Sequence, residues 1–201
     1  MWRDPFMNRL IAIIGLVVTF AIVGFTWYSL NRIPDNQFPD IKLEFTLHNT
    51  NGPVSFSDFK GKAGLVFFGY ARCPDVCPTT MVNFGSALDM LTESERSKVK
   101  ALFISVDPAR DTPEIIEKYV GFFHPEITGL TGSVEEIKAA ASSFRVGFEK
   151  ESPNDLGNYS ITHSTYIFIT RPDGGLGGLI GHNGSPEEIA QSLRYWIKWA
   201  D

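Results

Sequence analysis

Cysteine is scarce in this chain: Cys73 and Cys77 are the only two among 201 residues. Two thiols can form a single disulfide at most. A bridge across only three intervening residues would restrain the unfolded chain little, so it would contribute little stability. A structural bridge and a pair of inert core cysteines remain alternatives, but a functional role explains the spacing better.

Positive charge is also in short supply. The chain carries 18 lysines and arginines against 23 acidic residues, for a net charge of −5. The part after Arg32 is more negative still, because Arg3 and Arg9 precede it with a single acidic residue, Asp4. This balance disfavours nucleic acid and anionic lipid head groups as partners. With 43% hydrophobic and 20% charged residues, the composition otherwise suits one globular domain.

Charged residues are missing altogether from residues 10–30. At ~1.5 Å of rise per residue, a helix of this length crosses a hydrocarbon core of ~30 Å, so we predict one transmembrane helix. A cleaved signal peptide is disfavoured because the apolar run is long and no small-x-small cleavage site follows it. Because the run begins at residue 10, we expect no organelle transit sequence before it.

The arginines flanking this run predict its orientation. Arg3 and Arg9 precede it and only Arg32 closely follows, so the positive-inside rule places residues 1–9 in the cytoplasm and the domain outside. The expected location is the bacterial inner membrane, with a single pass and the soluble domain in the periplasm. Disulfides persist there, so the two cysteines can cycle between thiol and disulfide.

The soluble domain is predicted at residues 41–201, after a polar, proline-containing linker at residues 31–40. Its apolar segments alternate between strand and helix patterns. Strands are predicted at residues 43–47, 54–59, 64–70, 101–106, 165–170 and 179–180. Helices are predicted after Cys77, from Thr112 and Pro113, from Ser133 to about Phe144, and from Ser185. This order predicts an α/β fold with a mixed central sheet.

The cysteine motif lies where a buried strand ends and a helix begins. Cys73 and Cys77 have the i, i+4 spacing that places two side chains on one face of a helix. Free N–H groups at a helix N-terminus stabilise thiolates, and Arg72 adds positive charge, so we expect both thiols to be more acidic than usual. Pro78 is expected in the first helical turn and Pro74 in the loop that carries Cys73.

Two thiolates and one imidazole make a site for a soft or borderline metal. His163 is the candidate third ligand because it lies at a strand edge that can approach the cysteine loop, although a structural role is equally open on physical grounds. His48, His124 and His182 are expected to be solvated or capping histidines. Met81 continues the cysteine spacing, but its place in the apolar stripe of the helix predicts a core position.

Three charged residues, Asp107, Arg110 and Asp111, occupy the loop after the strand at residues 101–106. Turn formation and helix capping account for acidic residues in such a loop. On physical grounds a functional role for these three residues is equally open.

Several blocks of this sequence resemble the Sco/SenC family, in order across about residues 45–199. They are GY at 69–70, CPDVCPTT at 73–80, SVDPARDTPE at 105–114, GLTG at 129–132 and HS at 163–164. The resemblance implies a thioredoxin-like fold, an N-terminal membrane anchor and assembly of the dinuclear copper centre in subunit II of cytochrome c oxidase. Thr162 departs from the pattern, because the family often has Asp before the histidine.

The resemblance also implies roles for particular residues. Cys73, Cys77 and His163 would be the copper ligands. The loop residues Asp107, Arg110 and Asp111 would lie around the metal or form a docking surface near it.

The function predicted is therefore that of a membrane-anchored copper chaperone. It would carry Cu(I) or Cu(II), with cytochrome c oxidase subunit II or a related copper acceptor as its partner. The alternative is a thiol-disulfide oxidoreductase that reduces the acceptor's cysteines without carrying copper, with Cys73 attacking and Cys77 as its redox partner. His163 discriminates between the two because dithiol exchange does not require it. A structural zinc site is disfavoured because such sites use four ligands and only three are apparent here. No separate sequence feature supports a thioredoxin-like peroxidase.

Overall fold

The computed structural model describes residues 5–31 and 41–199, and its contacts divide the chain into two units. The first unit contains one helix, α1 (Pro5–Asn31), which includes the segment for which a transmembrane helix is predicted. Side-chain placement in α1 is described for Arg9 and residues 13–26. Within the described part of the chain, no helix combines the length and hydropathy that a bilayer crossing requires.

Past Asn31, the predicted linker lies outside the described residues. The crossing, its orientation and the domain boundaries stay predictions.

The second unit, called here the α/β unit, contains all the later elements. In chain order they are β1 (Thr46–Asn49), β2 (Gly52–Ser55), a 3-10 turn (Phe56–Phe59), β3 (Ala63–Gly69), α2 (Val76–Asp89), α3 (Glu93–Arg96), β4 (Val99–Ser105), α4 (Pro113–Gly121), β5 (Ile127–Leu130), α5 (Val134–Ser143), β6 (Phe148–Lys150), β7 (Ile161–His163), β8 (Ile167–Thr170), β9 (Leu176–Ile180) and α6 (Pro186–Trp199).

A five-stranded sheet forms the centre of this unit, in the order β5-β4-β3-β8-β9. The strands β3, β4 and β5 are parallel to one another, whereas β8 pairs antiparallel with β3 and β9 pairs antiparallel with β8. Parallel neighbours need crossover connections, and α2 and α4 lie in the two that join β3 to β4 and β4 to β5. The predicted α/β fold with a mixed sheet flanked by helices is confirmed.

Both faces of the sheet are covered. β3 is buried at all seven positions, as expected for a central strand with a continuous apolar sequence. Successive side chains point to opposite faces. Phe67 packs against Phe103 with ring centroids 6.2 Å apart, whereas Phe68 packs against Phe144 and Phe168 at 5.3 and 6.0 Å. The site described below is built on the Phe67 face.

Helix starts follow the predicted capping residues. The hydroxyl of Thr112 accepts a hydrogen bond from the Ile115 amide, with Pro113 as the first helical residue of α4. Ser133 and Glu136 form a reciprocal capping box at the start of α5. Local chemistry therefore sets where these helices begin.

The strand predicted at residues 54–59 is shorter than expected. β2 ends at Ser55, and a 3-10 turn follows because the Asp58 carboxylate accepts a hydrogen bond from the Ser55 amide at 2.8 Å. Three further strands, β5, β6 and β7, are not among those predicted from the sequence. The last two form a separate hairpin that pairs Phe148 with His163.

Candidate metal centre

The loop between β3 and α2 positions the two cysteines. Cys73 lies in the loop with Pro74, and Cys77 lies in the first turn of α2 with Pro78, as predicted. The Cys77 amide donates to the Cys73 Sγ at 3.4 Å, so a free N–H group of the helix N-terminus contacts the first sulfur. Both cysteines are free thiols; Cys73 is half-buried and Cys77 is fully buried.

Gly69, the last residue of β3, makes room for the buried sulfur. A Cβ at this position would lie 2.8 Å from the Cys77 Sγ and 2.9 Å from the Phe103 ring. Sequence reasoning missed this role, although a glycine that ends a buried strand signals a close approach by another group.

Replacing Gly69 with alanine is expected to displace the Cys77 Sγ, because neither β3 nor the Phe103 ring can yield easily. Overpacking of this kind costs about 1–3 kcal/mol of stability. We expect weaker metal binding as well, because the Cys77 Sγ leaves its place, and metal titration beside urea denaturation measures both effects. Gly147→Ala is the matched control, since an added Cβ there meets nothing within 4 Å. Equal behaviour of the two variants would contradict the steric role.

His163 reaches the cysteines from the end of β7. Its Nδ1 lies 2.9 Å from the Ser164 carbonyl oxygen, which can only accept, so Nδ1 donates and Nε2 is the ring nitrogen left to bind a metal. Nε2 lies 3.6 Å from the Cys77 Sγ. The imidazole also packs edge-on against Tyr70 and Phe67, with ring centroids 5.9 and 6.2 Å away. These contacts orient the ring as a metal-binding histidine requires.

The three predicted ligand residues therefore converge. The Sγ atoms of Cys73 and Cys77 and a ring nitrogen of His163 all lie within 4.8 Å of one another. Two sulfurs and an imidazole nitrogen are donors that suit soft and borderline transition metals. The chemistry of this group fits copper.

The two thiols do not share the same acidity. A hydrogen bond with the Cys77 thiol lowers the pKa of Cys73 to about 3; burial opposes this, and a hydrogen bond with His163 adds to it. The same bond to Cys73, together with burial, raises the pKa of Cys77. The expectation that both thiols are unusually acidic is therefore wrong for Cys77, because the pair keeps one proton on its buried member. Arg72 is exposed.

The other histidines have partners elsewhere. His48 contacts Glu136 at 3.2 Å, His124 lies 3.4 Å from Asp89, and the His182 ring contacts the Thr165 hydroxyl at 3.4 Å. His48 is partly exposed and His182 exposed, as expected, whereas His124 is buried and its Nδ1 accepts a local hydrogen bond from the Glu126 amide at 3.1 Å.

Met81 is fully buried, which confirms its predicted core position.

Of the three charged loop residues, Asp111 connects to the cysteine loop. Its Oδ2 accepts from the Ser105 hydroxyl at 2.6 Å and from the Ala71 amide at 3.0 Å. Burial raises the pKa of this carboxyl. Asp107 is also buried and accepts hydrogen bonds from Arg110 and from the Tyr159 hydroxyl. None of the three belongs to the group of ligand atoms, so they support the loops around it.

Comparison with known proteins gives consistent matches. The family model described as SCO1/SenC matches residues 34–198. The protein sco1 of Schizosaccharomyces pombe is 36% identical over 158 residues, which are 77% of this chain and 60% of that protein. The chain thus spans about three-fifths of the length of this relative.

Two solved structures share the fold over most of the chain. ScoI of Bradyrhizobium japonicum with copper bound is 38% identical, with a TM-score of 0.71, and the match covers 78% of this chain and 99% of that one. ScoI of Arabidopsis thaliana with copper bound is 34% identical, with a TM-score of 0.72 and coverage of 79% and 99%.

Proposed function

The chain belongs to the SCO1/SenC family, and on this premise we propose that it is a copper-binding metallochaperone with Cys73, Cys77 and His163 as its copper ligands. The observation that carries the proposal is the convergence of two sulfurs and one imidazole nitrogen within 4.8 Å. The copper-bound relatives support the identity of the metal.

Copper is the cargo of this site. The Cys73 sulfur is half-exposed and is the thiol that ionises first, so it is the ligand that an incoming protein can reach. The acceptor's thiolates would replace the three ligands one by one. Cys77 must release its proton to bind metal, since the thiolate is the ligand form.

The proposal also includes the protein that receives the copper and the membrane that holds the chain. The acceptor is cytochrome c oxidase subunit II or a related copper protein, as the family resemblance implies. Residues 10–30 anchor the chain in a bacterial inner membrane, and the α/β unit faces the periplasm. The uncharged run and the arginines before it support this arrangement.

A thiol-labelling experiment tests the orientation. Cys73 combines partial exposure with a pKa of about 3, so it should react readily at neutral pH, whereas Cys77 is buried and holds its proton. We expect a membrane-impermeant maleimide to label full-length protein in cells whose outer membrane alone has been permeabilised. Cys73→Ala should remove most of the label. Labelling that appears only after the inner membrane is disrupted would reverse the proposed orientation.

A second function has an observation in its favour. A half-exposed, acidic Cys73 above a buried Cys77 is the arrangement of an attacking thiol and its resolving partner. The chain could therefore reduce an acceptor's disulfide without carrying copper.

A variant of His163 distinguishes the copper chaperone from the reductase. We expect His163→Ala in full-length protein to lower Cu(II) affinity by at least ~100-fold, because it removes a ligand and residues that only support a ligand already cost ~10–100-fold, while reduction of a disulfide peptide continues. Chelator competition and the thiolate-to-Cu(II) absorption band measure the first effect. His182→Ala is the matched control because its ring contacts Thr165 rather than the cysteines. Equal copper affinities in wild type and His163→Ala would favour the reductase.

A further inference from the structure

The hairpin that carries His163 is weakly held by its own strands. β6 and β7 have three residues each and form a two-stranded sheet separate from the five-stranded one. An isolated two-stranded hairpin is only marginally stable in water. The segment that joins the two strands is mostly exposed. Other contacts must therefore hold His163 near the cysteines.

Tyr159, four residues before His163, supplies such contacts. Its hydroxyl donates to the Asp107 Oδ1 at 2.8 Å, and its carbonyl oxygen accepts from the Arg110 Nη1 at 3.1 Å. The Arg110 guanidinium carbon lies 3.5 Å from the centre of the Tyr159 ring, and the Lys150 Nζ lies 3.7 Å from it. One side chain thus makes a hydrogen bond and two cation-π contacts.

The partners of Tyr159 are themselves rigidly placed. Asp107 and Arg110 follow β4, a central strand, and their carboxylate and guanidinium pair with each other. The Asp107 amide donates to the Ser105 hydroxyl at 3.1 Å, and its carbonyl oxygen accepts from the Asp111 amide at 2.9 Å. Through these bonds the loop that holds Tyr159 is fixed to the sheet.

The same loop also holds the cysteine side of the site. The Asp111 carboxylate binds the Ala71 amide, two residues before Cys73. A single loop thus connects both halves of the ligand group, which are 86 residues apart in sequence.

We propose that Asp107, Arg110 and Tyr159 form a clamp that positions His163 against Cys77 and thereby sets how well the site holds Cu(II) relative to Cu(I). This inference rests on the proposed copper function. Two thiolates satisfy the soft Cu(I) ion, whereas Cu(II) depends more on a nitrogen ligand. Loosening the hairpin should therefore release Cu(II) first. The three residues act through His163 and are positioning residues.

Three variants of the full-length protein test the clamp. Tyr159→Ala removes the hydrogen bond of the hydroxyl to Asp107 and both cation-π contacts, and leaves only the bond from Arg110 to the backbone carbonyl oxygen of residue 159. Arg110→Ala removes that backbone bond, one cation-π contact and the pairing with Asp107. The milder Tyr159→Phe removes only the hydrogen bond to Asp107. We expect Cu(II) affinity to fall ~10–100-fold in the two alanine variants and less in Tyr159→Phe, with a smaller loss of Cu(I) affinity. Arg194→Ala is the matched control. Arg194, on α6, also pairs with an acidic residue, Glu95 on α3, but neither belongs to the clamp.

A second measurement needs no metal. In metal-free protein, amide hydrogen exchange of β6 and β7 should be faster in Tyr159→Ala than in wild type, while exchange in β3 and β4 is unchanged. The double variant Arg110→Ala/Tyr159→Ala should lose no more Cu(II) affinity than the weaker-binding single variant, because the two residues act as one unit.

The outcomes separate the clamp from the copper function. Wild-type exchange rates in the Tyr159→Ala hairpin would overturn the clamp, and so would faster exchange with unchanged Cu(II) affinity. If wild-type protein binds no copper, the copper function fails, and faster exchange in the hairpin would still support the clamp as a structural device.

Discussion

Cys77→Ala is expected to abolish copper binding at micromolar concentrations. The substitution removes one of the three proposed copper ligands. Mutation of residues that only support a ligand already lowers metal affinity ~10–100-fold, so the loss should exceed ~100-fold for both Cu(I) and Cu(II). The absorption band of thiolate-bound Cu(II) should weaken or disappear. Copper titration of full-length protein with a competing chelator measures both effects.

The same variant changes the remaining thiol. A hydrogen bond with Cys77 is the largest cause of the low pKa of Cys73, so its removal should raise that pKa toward the value of an ordinary cysteine. Alkylation of Cys73 against pH measures this shift. Val82→Ala, at an exposed position of the same helix, is the matched control and should leave both properties unchanged. Full copper affinity in Cys77→Ala would exclude this residue as a ligand.

Much of the fold follows from local sequence. The apolar runs that became β3 and β4 are long enough to identify, and Thr112 and Ser133 mark helix starts through bonds to amides three residues on. β5 is harder because it has four residues and a glycine at its centre, and it becomes a strand only by pairing with β4. Long-range pairing of this kind leaves little trace in a short segment.

The candidate site, like the fold, has features that local sequence predicts and features that depend on long-range contacts. The spacing of Cys73 and Cys77 and their place before a helix can be derived from sequence, but the approach of His163 cannot, because contacts such as that of Tyr159 with Arg110 form only in the folded chain. Its place at a strand edge made His163 a candidate, and the family resemblance identified it as the third ligand. The opposite pKa shifts of the two thiols depend on burial and on a shared hydrogen bond, so spacing alone gave the wrong acidity for Cys77.

Phe68→Ala is expected to have the largest effect on stability, about 3–5 kcal/mol, because it removes a fully buried ring from the centre of the sheet. The Phe68 ring lies 5.3 Å from that of Phe144 and 6.0 Å from that of Phe168, so the cavity would be lined by rings that cannot easily collapse into it. Urea denaturation of the full-length protein, followed by tryptophan fluorescence, measures the loss.

Phe122→Ala is the matched control, since that ring is 76% exposed and its removal should change stability by no more than about 0.5 kcal/mol. Copper affinity separates the core from the site. Phe68 points to the face of β3 opposite the one that Gly69 presents to Cys77, so the folded fraction of Phe68→Ala should bind copper with nearly wild-type affinity. A large loss of affinity in fully folded Phe68→Ala would mean that packing on both faces of the sheet sets the geometry of the ligand group.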